Sequence, residues 1–311
     1  DSHFNEIEPA AGPYNYNRAV TAYRLAMKSV QNKIKNQVYG VSMYKLAWTY
    51  FKQQRYQQAV TTFVDLLKHT DDMEARTGDP GADFRKEAYD YIAGSLSYVD
   101  FAGPAEDEPY IIRSDVLDTE TREGVAEQKM HIGIDRVQDP KIVPQGTQNA
   151  QTCKVENPKW TIEVYRALAR EYRELNQLSN VTDTLEAILT KWPMHRDAPM
   201  VQDELAATYE ERSKYAATKS QAQGDVLAAK ALQARTNLAK YVGTTEWTEC
   251  NKDDPEAIQN AERLVKGGLR QAAVQHTLKA REYMQQGNQS TDSSERRDKF
   301  DKALQEYRLA E

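Results

Sequence analysis

Apolar residues in this chain recur at spacings of three and four, the period of an amphipathic helix rather than of a strand. Three pentapeptides carry the pattern: LAWTY at 46–50, LAREY at 168–172 and LAATY at 205–209, with weaker echoes in IAGSL at 92–96 and KAREY at 279–283. Leu, Ala and Tyr at these offsets fall on one side of a helix, and the Ala lets a partner backbone approach. After the first copy, Tyr56, Ala59, Phe63 and Leu66 or Leu67 keep the spacing through a second amphipathic helix. After LAREY, Leu178, Val181, Leu185 and Ile188 do the same, and Pro193 closes the unit. The second-helix pattern returns near both ends, as Tyr16, Ala19, Tyr23 and Ala26, and as Phe300, Ala303, Tyr307 and Ala310.

A first helix with Leu, a small residue and Tyr, then a second with aromatic and Ala positions and a terminal Pro, resembles the tetratricopeptide repeat. The resemblance implies an all-α, solenoid-like array of antiparallel helical hairpins, running on past residue 311. Ala47, Ala93, Ala169, Ala206 and Ala280 stand where the family uses Gly, and Met43 or Tyr165 where it uses Trp. The hairpins are unevenly spaced, which a solenoid tolerates because each repeat contacts mainly its neighbours. The expected division is N-terminal repeats at 13–101, an acidic insertion at 102–157 and C-terminal repeats at 158–311. From Tyr215 to Val242 apolar and Ala positions run on without Pro, which predicts one long helix. The next should start in NKDDPE, with Asp253 or Asp254 as cap and Pro255 in the first turn.

The insertion contains Pro104, Pro109, Pro140 and Pro144, which is loop punctuation, although DTETREGVAEQKM at 118–130 has room for a short helix. Apolar residues in PYIIRSDVL (109–117) and HIGIDRV (131–137) favour an ordered part over a flexible acidic loop. The insertion also sharpens the charge pattern. The net charge is -6, yet Arg18 to Lys68 holds nine Lys or Arg against the single acid Asp65, a local balance of +8. Gly103 to Asn157 holds eleven acids against six bases, a balance of -5. Such segments attract each other or steer partners of opposite charge, or are simply solvated helix faces.

Cys153 and Cys250 both fall in expected loops, and an even pair in loops suggests a disulfide in an oxidising compartment such as a bacterial periplasm. Two free thiols would point to the cytoplasm instead. With 40% hydrophobic residues, 28% charged residues and a mean hydropathy of -0.80, the chain can bury a core, and no apolar run reaches the roughly 18 residues of a membrane span. The start at Asp1, without Met, reads as a mature or trimmed terminus.

Signatures of chemistry are missing. His3, His69, His131, His195 and His276 form no HExxH pair, two cysteines do not make a closed zinc site, and no phosphate-binding, nucleophile-elbow or dinucleotide motif occurs. In NKDDPEAIQNAE, Glu256 stands where a calcium loop needs Gly. The expectation is a non-enzyme without cofactor or metal.

The family's first helices line a concave face. Carried over here, this implies a partner-binding groove of Tyr44, Lys45, Trp48, Phe51 and Lys52, continued by Arg166, Arg170 and Arg173, with Asp203, Glu204, Glu210 and Glu211 reversing its sign further on. Tyr44 and Trp48 stand where the family's carboxylate clamp would need Lys and Asn. The plainer alternative packs Trp48 and Phe51 against the next hairpin and pairs Arg166 and Arg170 with Glu163 or Glu174. The implied function is a scaffold that assembles other proteins in a bacterial envelope, in periplasmic, outer-membrane or motility machinery. Its rivals are a groove for glycans or acidic polymers and, less favoured, a nucleic-acid-binding repeat, which an overall pI near 5.6 disfavours.

Overall fold

A computed structural model describes residues 14–34, 36–98, 100–103, 132–149 and 151–310. Every regular element longer than an isolated bridge in them is helical: α1 (Tyr14–Ser29), α2 (Gln37–Lys52), α3 (Tyr56–Thr77), α4 (Arg85–Ser97), α5 (Ile132–Gln138), α6 (Thr161–Glu174), α7 (Leu178–Lys191), α8 (Ala198–Ala217), α9 (Gln221–Thr236), a 3-10 turn (Asn237–Tyr241), α10 (Glu246–Cys250), α11 (Pro255–Gln289) and α12 (Ser293–Ala310). The expected segments 109–117 and 118–130 lie outside the described residues, whereas HIGIDRV supplies α5, with Ile134 and Val137 buried.

The chain forms two compact units, Asp1–Thr147 with Val155–Thr184, and Gln148–Lys154 with Leu185–Glu311. This differs from a division at residues 101 and 157. The boundary runs through α7, whose buried Leu185 and Ile188 belong to the second unit, and the turn at 148–154 joins them there.

In the first unit α1 packs on α2, α2 on α3, α3 on α4, and α4 on α5 and α6. The Asn36 side chain accepts from the Val38 N–H to start α2, and Gly78, with φ of 75°, ends α3 in the left-handed conformation that glycine adopts without strain. Three residues, 53–55, turn α2 into α3. The core is Leu46, Ala47 and Tyr50 of α2, Phe63, Leu66 and Leu67 of α3, Ile92, Ala93 and Leu96 of α4, and Leu168, Ala169 and Tyr172 of α6. From α5, Arg136 Nη1 donates to the carbonyls of Leu96 (2.7 Å) and Tyr98, and so supplies partners for the open end of α4.

In the second unit α8 packs on α9, α9 and the 3-10 turn on α11, and α11 on α12. The expected single helix across 215–242 is broken: α8 ends at Ala217, α9 runs Gln221–Thr236, and the 3-10 turn Asn237–Tyr241 follows. Ser220 accepts from the Gln223 N–H and starts a new helix after a short turn, and a Cβ on Gly224 would collide with Ala217. The lone Gly of that stretch thus lets α9 close on α8, and the Ala-rich run is a hairpin. Asp254 caps α11 through the Ala257 N–H with Pro255 in the first turn. A cluster of Leu238, Tyr241, Trp247, Ala257, Ala261 and Val265 closes this end, and Trp247 Nε1 donates to the His195 carbonyl at 2.8 Å.

Candidate functional site

The aromatic strip of α2 finds its partners on α3, α4 and the residues flanking α4. Tyr44 stacks on Phe84 with centroids 4.2 Å apart and meets Phe63 edge-on. Trp48 Nε1 donates to the Tyr91 hydroxyl at 2.7 Å, and Phe51 lies edge-on to Tyr56, Tyr91 and Tyr98. Tyr91 also stacks on Phe63, and Tyr98 on Tyr56. Such ring pairs add about 0.5–1.5 kcal/mol each beyond the area they bury, so Tyr44, Trp48 and Phe51 join α2 to α4. The lysines behave differently. Lys52 is exposed with Nζ 5.0 Å from the Trp48 ring, and Lys45 is half-buried.

The arginines of α6 also meet carboxylates. Arg166 reaches Glu163 at 3.5 Å. Arg170 pairs at 2.8 Å with Asp90 of α4 rather than with Glu174, and both side chains are exposed, so the pair contributes little. Arg173 is half-buried at the end of α6. Burial, with Glu174 and Asp90 nearby, pushes the Glu171 carboxyl above its usual range. The acids expected to reverse the groove's sign are occupied as well: Asp203 and Glu210 both bind Arg235 of α9.

Cys153 and Cys250 are joined, with Cα atoms 5.4 Å apart. Cys250 is the last residue of α10 rather than a loop residue, placed there by the Thr245–Thr248 capping box. The turn carrying Cys153 is tied down further by the Gln148 N–H on the Lys191 carbonyl and by the Met194 N–H on Gln148 Oε1.

Three clefts share one positional feature. Each opens beside a first helix, on the residue three positions before the repeat's Leu or Ile: Met43 before Leu46, Tyr89 before Ile92 and Gln202 before Leu205. The cleft among α1, α2 and α3 has a volume of about 610 Å³ and is lined by Lys33, Tyr39, Met43, Asp65, His69 and Asp72 among others. Burial holds the His69 imidazole below its usual range, and its Nε2 is buried without a hydrogen-bond partner. The cleft beside α3 and α4, about 810 Å³, holds Lys68, Arg85, Tyr89, Lys159 and Trp160. There Arg85 binds Asp71 (2.9 Å), Asp83 (3.1 Å) and Glu74. Although burial disfavours its charge, hydrogen bonds to Asp71 and Glu74 prevail and raise its pKa. The third cleft, among α7, α8 and α9, measures about 440 Å³. These volumes suit ligand sites, but openings of this size also arise wherever helices pack, so their linings carry any specificity.

Sequence reasoning did not single out His69, Lys230 or Lys240. They lie on α3, α9 and the 3-10 turn, and only the packing of these elements brings them to the clefts. Among the described residues no group of three or more His, Cys, Asp or Glu is arranged to hold a metal, and no helix is long and apolar enough to cross a membrane. No protein-family model, curated protein or solved structure matches the chain.

Proposed function

We propose that this chain is a tetratricopeptide-like solenoid that acts as a non-enzymatic scaffold, holding other proteins together in an oxidising compartment of the bacterial envelope. The observation that carries the reading is the burial of one residue triplet on three first helices. Leu46, Ala47 and Tyr50, then Leu168, Ala169 and Tyr172, then Leu205, Ala206 and Tyr209 are all at most 6% exposed. Repetition of one packing unit supports an array whose surface, not its interior, differs from hairpin to hairpin. The disulfide supports the oxidising compartment.

In this reading Lys45 and Lys52 of α2 are the cations offered to a partner, while the rings between them keep the helices in register. The test is crosslinking in the producing cell followed by affinity capture of the full chain, wild type against Lys45→Glu with Lys52→Glu. Loss of a defined partner in the variant supports the scaffold. An unchanged partner set moves the contact off α2, and the absence of any partner removes the reading. Alkylation of intact cells before lysis tests the compartment, since capped Cys153 and Cys250 would place the chain in the cytoplasm.

A further inference from the structure

We propose that the cleft among α7, α8 and α9 docks an acidic peptide segment of a partner protein, an inference that rests on the scaffold reading above and gives it a specific contact.

Charge distinguishes this cleft from its two counterparts. In the first, Lys33 shares the lining with Asp65 and Asp72, and in the second Arg85 is bound by three carboxylates. In the third, Lys230 and Lys240 are exposed and neither has a carboxylate partner among the described residues, while Lys230 Nζ stands 5.4 Å from the Tyr209 ring. Of the neighbouring acids, Glu186 belongs to the lining, whereas Asp203 and Glu210 lie outside it. Glu186 accepts from the Tyr209 hydroxyl at 2.6 Å, and Asp203 and Glu210 hold Arg235. Two cations therefore stand over a cleft with one lining acid, an excess of positive charge that neither counterpart has.

The rest of the lining suits a peptide. Leu189, Leu205 and Ala234 give an apolar floor, with Leu205 and Ala234 buried. Gln233 Nε2 donates to Asn237 Oδ1 at 3.2 Å, which leaves the side-chain Oε1 of Gln233 as an acceptor and the side-chain Nδ2 of Asn237 as a donor for a peptide backbone. A sugar polymer fits less well. It would want an open aromatic face, and Tyr209 is buried.

The probe is a short fluorescein-labelled peptide with a Leu-Val centre flanked by glutamates, titrated with the full disulfide-bonded chain and read by fluorescence anisotropy. Binding should saturate, weaken as salt rises, and fall at least about tenfold in Lys230→Glu with Lys240→Glu. Lys214→Glu with Lys266→Glu carries the same change in net charge on exposed residues elsewhere and should keep the affinity. Thermal melts of both variants establish that they are folded, and Lys230→Gln with Lys240→Gln repeats the test without adding negative charge.

The inference is overturned by no saturation up to about 1 mM, by equal losses in the two charge-reversal pairs, or by equal binding of the same peptide with glutamines. Preference for an oligouronate over the peptide overturns it in favour of a glycan. If crosslinked partners persist unchanged in Lys230→Glu with Lys240→Glu, this site is refuted while the scaffold reading stands.

Discussion

The two units solve one packing problem with different materials. The first fills the space between its hairpins with rings: Tyr44, Phe51, Tyr56, Phe63, Phe84, Tyr91 and Tyr98 form a continuous mesh across α2, α3 and α4. The second brings backbones together along small residues. On α11 the buried positions are Ala257, Ala261, Val265, Gly268, Ala272, His276, Ala280 and Gly287, and on α12 Ala303 is buried. Small residues give close approach but little apolar area, at about 25 cal/mol per Å². The second unit adds polar and covalent ties: the disulfide, the buried Arg235 and the pair between His276 Nδ1 and Glu306 at 2.6 Å. Ring packing is distributed over many contacts, whereas the ties are few and separately removable.

The largest effect should come from cutting the covalent tie. Cys153 and Cys250 lie 97 residues apart, and closing a loop of that size restricts the unfolded chain by about 4–5 kcal/mol in the chain-entropy model. Reduction should lower the urea midpoint, with hydrogen exchange rising first around 148–154 and 246–250. Early loss of protection in α2 and α3 instead would mean that the disulfide does not hold the second unit in particular.

Next comes the ring mesh. Phe63 is fully buried and touches both Tyr44 and Tyr91, so Phe63→Ala should cost about 3–5 kcal/mol. Equilibrium unfolding should show the loss in the first unit, and a cost near 1 kcal/mol would mean that the mesh is redundant.

Arg235→Met should cost roughly 2 kcal/mol. Burial opposes the Arg235 charge, yet its bonds to Glu210 and Asp203 raise its pKa, and those two carboxylates, only about a third exposed, would lose their cation. Adding Asp203→Asn and Glu210→Gln should recover part of the loss, because it removes the stranded charges. No recovery would mean that Arg235 acts by packing alone.

The smallest effects are pH-dependent, and both titrating groups lie in the first unit. Glu171 has a raised folded pKa, so the folded state holds its proton more firmly and stability is lost as pH rises through the carboxylate range. Glu171→Gln should raise the melting temperature at pH 7, with the gain disappearing below the unfolded carboxylate pKa. His69 has the opposite sign of linkage. Its folded pKa is lowered, so its contribution is present above the unfolded value of 6.5 and is lost as pH falls. His69→Gln should flatten that acid limb of the stability curve.

Local rules made the helices legible. The LAxxY triplets are buried on α2, α6 and α8, and Asp254 with Pro255 starts α11, because these depend on residues a few positions apart. The hairpin at 218–220 was hidden, since neither Gly nor Pro stands in the turn and only the Ser220 cap marks it. The strip on α2 was seen as a set, with the next hairpin as an alternative neighbour for Trp48 and Phe51, but the individual partners were not seen. Phe84 and Tyr91 lie about 40 residues away in sequence, and only packing against α4 turns Tyr44, Trp48 and Phe51 inward. Likewise nothing local in an Ala-rich helix announces that Arg235 will be buried between two acids.

The repeated clefts have a consequence for how such a chain changes over time. Residues that keep α8 and α9 together, such as Leu205, Ala206 and Gly224, are distinct from those that colour the cleft, such as Lys230 and Lys240. A mutation in the second group leaves the hairpin standing, so each opening drifts in its preferences independently of its counterparts. Each opening is in that sense a socket whose frame is held by one set of residues, while single substitutions in another set rewrite what it accepts.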